Sequence, residues 1–388
     1  MRIVSAVALL AIIVFAVMTS WVQAVWPTAV PEAAVFTVAA AWALVGISGR
    51  VKIQYSPILI PLALIVIWGA LQIALGTSAY AFATKFGILY WACNALAFFI
   101  ALQIFASAHA KGWLIQALLF FGLALAIASP VQALYSPNTV MWVFDPLPNF
   151  VPQFGPFPYK NQYSAFIELL LPVALFRALT QERGRTLYVV TETIMYASVI
   201  AAASRMGFFV ATAEMLVVPA ILYGQRKLRL RSLRNNALLF AAIFMMLIAA
   251  GGPAEMLARF QQNDPYAGRR EYSEASLRMI ASRPIMGFGL GAWDTAYPGF
   301  ATTDEGLHVN QAHDDWVQWA AEGGLPFFAI MLWMIVWIVP RALRSGWGAG
   351  VAAIFLHCTV DYPIERASVA LVMFIMMAAV AARSDESA

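Results

Sequence analysis

Charge is what this sequence most lacks. Only 11% of its 388 residues are Asp, Glu, Lys or Arg, while 62% are hydrophobic; a soluble domain carries about 25% charged residues. No soluble fold of this size can hide so much apolar surface, so the chain is read as an integral membrane protein. A water-soluble enzyme, a nucleic-acid binder and a disordered scaffold are thereby excluded as the main reading. Cysteine is almost absent too. Cys93 and Cys358 both sit in apolar runs, which argues against a disulfide framework or a Cys-based metal site. There is no phosphate-loop motif, no cytoplasmic loop long enough for a nucleotide-binding domain, and no internal repeat or low-complexity tract. Whatever chemistry the chain performs runs without ATP and on the outer face.

What is present is a series of apolar runs. Spanning a hydrocarbon core of about 30 Å takes roughly 17 to 25 residues, and runs near that length fall at 3–25, 29–47, 56–75, 86–107, 113–135, 161–179, 186–204, 206–223, 237–252, 323–340, 346–361 and 367–382. The expected fold is therefore all-α and polytopic, with about 12 transmembrane helices (10 to 12, because several runs are short). With the N-terminus inside, fifteen of the 24 Lys and Arg fall in inner segments, and the stretch 225–234 (QRKLRLRSLR) is the firmest anchor. Five of the nine left outside lie in one long loop, a kind of segment translocated largely regardless of its charge. The first run is read as a retained helix rather than a cleaved signal sequence.

Three regions follow: 1–251 with nine spans, a large outer loop over 252–322, and 323–388 with three spans and a short inner tail. The outer segment 136–160 carries six of the 20 prolines and is expected to be irregular. The long loop is the only extended polar segment, and 251–322 holds ten of the 20 acids. Within it Tyr272, Ala275, Met279 and Ile280 recur at the spacing of a helix lying on another surface. The glycines at 287, 289 and 291 follow; at that place they are turn formers rather than a nucleotide motif.

The polar residues each admit two readings. Arg205, in the tight turn Ser204–Gly207, either snorkels to headgroups or meets an anion in a polar cavity, and a guanidinium binds diphosphate bidentately. His313 alone among the four histidines has abutting carboxylates, Asp314 and Asp315; it is a solvated loop residue or a general base. His308 and His313 are five apart, off the one-face spacing of a helical metal pair, so no metal site is expected. Glu168 and Glu214 lie roughly 10–12 Å deep in spans at 1.5 Å per residue. They either bond between helices or serve a proton relay, which makes a transporter or lipid-linked glycan flippase the alternative function; an assembly subunit is a third. His357 and Asp361, one turn apart, are expected to be an inter-helix contact. Arg205, the Arg269–Arg270 pair, His313 and the proline-rich segment all fall on one side, which points to an anionic, membrane-borne substrate.

Four segments then carry a resemblance. Gly155 to Ala165 (GPFPYKNQYSA) is similar to G-x-F-x-N-x-N-x-x-A opening a span, and Ser204 to Gly207 looks like S-R-x-G. Gly268-Arg269 through Met279-Ile280, followed by Arg283-Pro284 and Gly287 to Gly289, resembles a G-R helix and P-x-x-G-x-G. Ala312 to Gly323 looks like A-H-N-x-x-L-x-x-x-x-E-x-G, with a softer match of His357 to Pro363 to H-S-x-x-D-F-P. In this order and spacing they resemble the bacterial O-antigen ligase and polysaccharide polymerase family.

The resemblance implies a GT-C-like glycosyltransferase architecture in the bacterial inner membrane, with the active site facing the periplasm. It implies metal-independent, inverting transfer, without a cofactor, from a polyprenyl (undecaprenyl) diphosphate-linked glycan to a hydroxyl of a lipid-core or glycan acceptor. No nucleic acid or nucleotide takes part. By matching, His313 is the general base and Arg205 and Arg269 hold the diphosphate, with Arg270, Asn161, Asp314 and Glu322 as substrate-binding residues. Two departures stand out. Asp314 replaces the asparagine common after the histidine, and Arg270 beside Arg269 leaves the second clamp ambiguous by one residue.

Overall fold

The computed structural model describes residues 1–49, 51–144, 154–228, 230–251, 257–258, 260–261, 267–303, 306 and 308–382. Arg50, Arg229 and Arg383 of the basic tally, residues 145–153 of the proline-rich segment, and 252–256, 259, 262–266, 304–305 and 307 of the long loop lie outside the described residues.

The described chain is helical, with two isolated bridges and no named strand. The helices are α1 (Arg2–Met18), α2 (Trp26–Ile47), α3 (Leu59–Ala74), α4 (Ala81–Phe105), α5 (Ala108–Tyr135), α6 (Lys160–Glu168), α7 (Leu171–Thr180), α8 (Arg185–Ala201), α9 (Arg205–Gly224) and α10 (Leu230–Gly251). They are followed by α11 (Ala267–Ser282), α12 (Trp293–Ala296), α13 (Asp315–Ser345), α14 (Ala349–His357) and α15 (Ala367–Ala381). Among the described residues seven helical stretches are long and apolar enough to cross a membrane: α2, α4, α5, α6 with α7, α9, α10 and α13. Helices α1, α3 and α15 are apolar but shorter. This is a polytopic helical membrane protein. The remaining expected spans fall on α8, which carries a buried Glu192, and on the nine-residue α14.

Helix α15 is apolar on every side, and each residue from Ser368 to Ala379 is buried, as expected of a helix at the centre of a bundle. Trp91 of α4 ties it in, packing edge-on to Phe374 of α15 at 6.2 Å and Phe327 of α13 at 5.6 Å. Helix α10 is mostly exposed along its length and lies at the periphery. Two helices are interrupted where the sequence demands it. Between α6 and α7 the chain breaks at Leu169-Leu170, just ahead of Pro172. Gly350 of α14 fits against that break, and a Cβ there would meet the Glu168 carbonyl oxygen at 2.4 Å.

The links between helices gather at two ends. At one, Gln225 donates to the Arg344 carbonyl at 2.7 Å and Lys111 to that of Ala379 at 3.2 Å, within the segments rich in Lys and Arg. At the other, Ser20 after α1 bonds to Pro156, Gln72 of α3 to Met286 and Glu322, and Ala79 to Phe288. The segments expected outside thus meet one another, and those expected inside meet one another.

The long loop builds a small core of its own. Ala275 and Met279 of α11 are fully buried against Trp293, Tyr297, Phe288 and Ala321, with Tyr272 and Ile280 packed alongside, so the face expected from spacing is the buried one. Each such large side chain contributes about 1.5–3 kcal/mol on burial. The loop is pinned to the bundle at Gly287 (φ 63°), Gly289 (φ 105°) and Gly291 (φ 70°), all left-handed turn formers. Helix α13 itself breaks at Gly324 (φ 70°, ψ −177°), a conformation open essentially to glycine alone. Its first part caps the loop and its second is a span. A Cβ at Gly324 would sit 2.1 Å from the Ile285 carbonyl oxygen. Gly324→Ala is therefore expected to destabilise by at least about 1–3 kcal/mol, whereas Gly112→Ala, in open space within α5, should be neutral or mildly stabilising. Thermal melting of the two purified variants checks this, and equal melting temperatures would contradict it.

Candidate active site

At the loop-bearing end, four segments distant in sequence converge on one carboxylate. Asp361 lies in the link between α14 and α15 and is 5% exposed. Its Oδ2 accepts a hydrogen bond from Asn161 Nδ2 at the first turn of α6 and lies 3.5 Å from Arg269 Nη2 of α11. Its Oδ1 accepts from the Tyr362 backbone N–H at 2.9 Å and lies 3.5 Å from His313 Nδ1. Arg269 also donates to the Val360 carbonyl, so its guanidinium is held from two sides. Expected only as an inter-helix contact, Asp361 instead organises three of the candidate residues. The partner expected with it, His357, does bridge helices: its Nδ1 meets both Glu168 oxygens at 2.9–3.0 Å, with both side chains fully buried. That pair accounts for Glu168 as an inter-helix bond.

Burial alone would raise the Asp361 pKa, but the facing His313, Arg269 and His357 hold it well below the usual carboxylate range. A depressed carboxylate stabilises the fold above the pH at which an unfolded aspartate ionises, about 4, and loses that contribution only as pH falls through its own folded value. The Asp361 carboxylate is thus charged across the neutral range.

His313 is held firmly but at a cost. Its φ of 55° is left-handed, unusual for a residue with a side chain. The flanking bonds over-determine it: Ala312 N–H donates to Gln318 Oε1 at 2.9 Å, and Asp315 N–H to the Cys358 carbonyl at 2.9 Å. The ring lies between Tyr272, roughly parallel with centroids 6.0 Å apart, and Tyr362, edge-on at 4.8 Å. At 3.5 Å the Nδ1 contact with Asp361 is longer than a hydrogen bond.

The other candidates are placed differently. Arg205 is the first residue of α9, whose Ser204 cap accepts from Gly207 N–H at 3.1 Å. Gly207 lets α9 press on α6, since a Cβ there would lie 2.5 Å from that of Ser164. The S-R-x-G turn thus sets Arg205 at the start of a helix packed on the one that carries Asn161. Arg270 is exposed, while Arg269 faces Asp361. Asp314 caps α13, its Oδ1 accepting from Trp316 and Val317 N–H at 2.9 and 3.2 Å. Glu322 is 2% exposed and fastens the glycine turn, accepting from Gly291 N–H at 2.7 Å and Gln318 Nε2 at 3.2 Å. Both carboxylates serve the local fold. Spacing marked Tyr272 as part of a packed helical face but gave no sign that it or Tyr362 stands beside His313.

Removing one side of the buried charge cluster leaves the other uncompensated. Asp361→Leu is expected to cost about 3–5 kcal/mol, and Arg269→Met added to it should recover part of that loss. Denaturation of the single and double variants measures the coupling, and purely additive losses would show that the two side chains do not interact.

Residues 193–332 match a family model described as O-antigen ligase, while no curated protein matches the chain. The matched segment holds Arg205, Arg269 and His313; Asn161 and Asp361 lie outside it and reach its residues only through the fold. Over residues 193–332 the chain is therefore similar to the O-antigen ligase family.

Proposed function

We propose that the chain is a glycosyltransferase of ligase or polymerase type, moving a glycan from a polyprenyl (undecaprenyl) diphosphate to an acceptor hydroxyl at the outer face of the bacterial inner membrane. The observation that carries this reading is the convergence of His313, Arg269 and Asn161 on buried Asp361 at the loop-bearing end of an apolar bundle. We read the bundle as twelve spans in a GT-C-like arrangement. Its Lys- and Arg-rich end lies in the cytoplasm, as cytoplasmic loops carry an excess of such residues.

In this mechanism the 3.5 Å contact between His313 Nδ1–H and Asp361 closes to a hydrogen bond and so fixes the tautomer whose Nε2 carries a lone pair. Nε2 takes the proton of the acceptor hydroxyl as its oxygen attacks the anomeric carbon. The bond from that carbon to the diphosphate oxygen breaks on the opposite face, inverting the centre. The leaving diphosphate gains negative charge rather than needing a proton, and the guanidiniums of Arg269 and Arg205 stabilise that charge as it develops. Two fixed cations make the reaction metal-independent. Asn161 keeps Asp361 oriented, and Tyr272 and Tyr362 confine the imidazole.

His313→Ala is expected to lower turnover by about 10²–10⁴-fold while lipid-linked donor still binds. Arg205→Lys should also be severely impaired, since lysine keeps the charge but loses the planar fork. Release of polyprenyl diphosphate by the purified protein reads both. Unchanged release by His313→Ala would remove the base assignment, and a near-wild-type Arg205→Lys would mean that Arg205 only anchors its helix at the interface. Release with a growing glycan ladder in the absence of added acceptor identifies a polymerase; release only on adding a core lipid identifies a ligase.

A further inference from the structure

Beside the Asp361 cluster lies a cavity of about 700 Å³, walled by the link after α1, the first turn of α6 and the segment leading into α15. This is within the range of roughly 300–1,000 Å³ typical of small-ligand sites. Tyr362 separates it from His313, with its ring 4.8 Å from the imidazole on one side and 6.3 Å from that of Tyr159, a wall residue, on the other. Asn310, three residues before His313, also lines it.

Two polar side chains of its wall have unsatisfied atoms. Gln162 is only 3% exposed, and neither Nε2 nor Oε1 has a hydrogen-bond partner. Buried amides are almost always bonded, so an amide left open at both ends marks a place where a ligand completes it. The Nε of Arg366 is likewise buried without a partner, and its guanidinium is held over the Tyr362 and Tyr159 rings at 5.0 and 6.0 Å. Next to it the Glu365 carboxyl is pushed up to about 7 by burial, with Arg366 opposing the rise. Trp21 and Tyr159 add aromatic surface.

This set discriminates among ligands. A phosphate wants donors only and would be opposed by Glu365 and the Gln162 carbonyl. An acyl chain would leave the amide and the guanidinium unmet. A sugar ring has hydroxyls that both donate and accept, and a C–H face that lies against aromatic rings. No residue of α9 or α11, which carry Arg205 and Arg269, is among those lining the cavity, so the wall is separate from the groups assigned to the donor's diphosphate. We infer that this cavity is a carbohydrate subsite holding a sugar ring of the acceptor glycan through Gln162, Arg366 and Glu365. The inference rests on the glycan-transfer reading above.

The test uses the full chain in nanodiscs and two probes, lipid-free oligosaccharide released from the host cell's own surface glycan and the lipid-linked donor. Gln162→Met removes both open polar ends at similar volume, so it should melt at or above the wild-type temperature. It should bind the free oligosaccharide at least about tenfold more weakly in calorimetry, the size of one or two lost hydrogen bonds. The acceptor KM should rise while kcat and the donor KM hold. Asn310→Ala, at an exposed position, should weaken the same binding with no change in melting. His313→Ala should bind the oligosaccharide like wild type. Wild-type binding by Gln162→Met, no oligosaccharide binding by the wild-type protein at millimolar concentrations, or a shift in the donor KM instead would each overturn the assignment. Turnover with unaltered Gln162→Met binding would defeat the subsite alone. Oligosaccharide binding without any turnover would defeat the transfer reading and leave the subsite standing.

Discussion

The candidate site depends on a single buried carboxylate. Asp361 joins α6, α11, the loop before α13 and the link into α15 at one point. A buried aspartate is tolerated only when its charge is met, and here an amide, a guanidinium, an imidazole and a backbone N–H meet it. The same contacts position the groups to which the proposed chemistry is assigned. Stability and the proposed function meet at this residue, because the interactions that make its burial tolerable also orient His313 and Arg269.

Around it the molecule divides labour between spans and loop. The apolar bundle, centred on α15, supplies a rigid frame and holds the Glu168–His357 pair within it. The long loop folds on its own small core and is fixed to the frame by left-handed glycines and by Glu322. A loop fixed this way can hold a strained histidine at φ 55° without collapsing. Strain at that position, enforced by bonds on both flanks, is consistent with the base role proposed for His313.

Much of this was legible in the sequence, and the exceptions have physical causes. Apolar runs located the helices because membrane thickness imposes their length, and the face of Tyr272, Ala275, Met279 and Ile280 was readable because burial follows the helical period. Helix interruptions were not. The break before Pro172 and the one at Gly324 depend on what packs against them, the latter on the Ile285 carbonyl. His313, Arg269 and Asn161 were reached by resemblance, and Asp361 was set aside as an inter-helix contact because its partners are non-local. Asn161 is 200 positions away, and nothing in local spacing reports such a meeting. Asp314 and Glu322, matched as substrate-binding residues, cap a helix and lock a turn in the fold, roles that depend on backbone geometry invisible in the sequence.

The most direct test is a structure with a non-transferable phosphonate analogue of a polyprenyl diphosphate sugar. The account predicts phosphonate oxygens within hydrogen-bonding distance of the Arg269 and Arg205 guanidiniums. It also predicts that His313 Nε2 lies on the face of the anomeric carbon opposite the leaving group, with Nδ1 closed to hydrogen-bond distance on Asp361. An analogue bound away from both arginines, or with His313 on the leaving-group side, would contradict it.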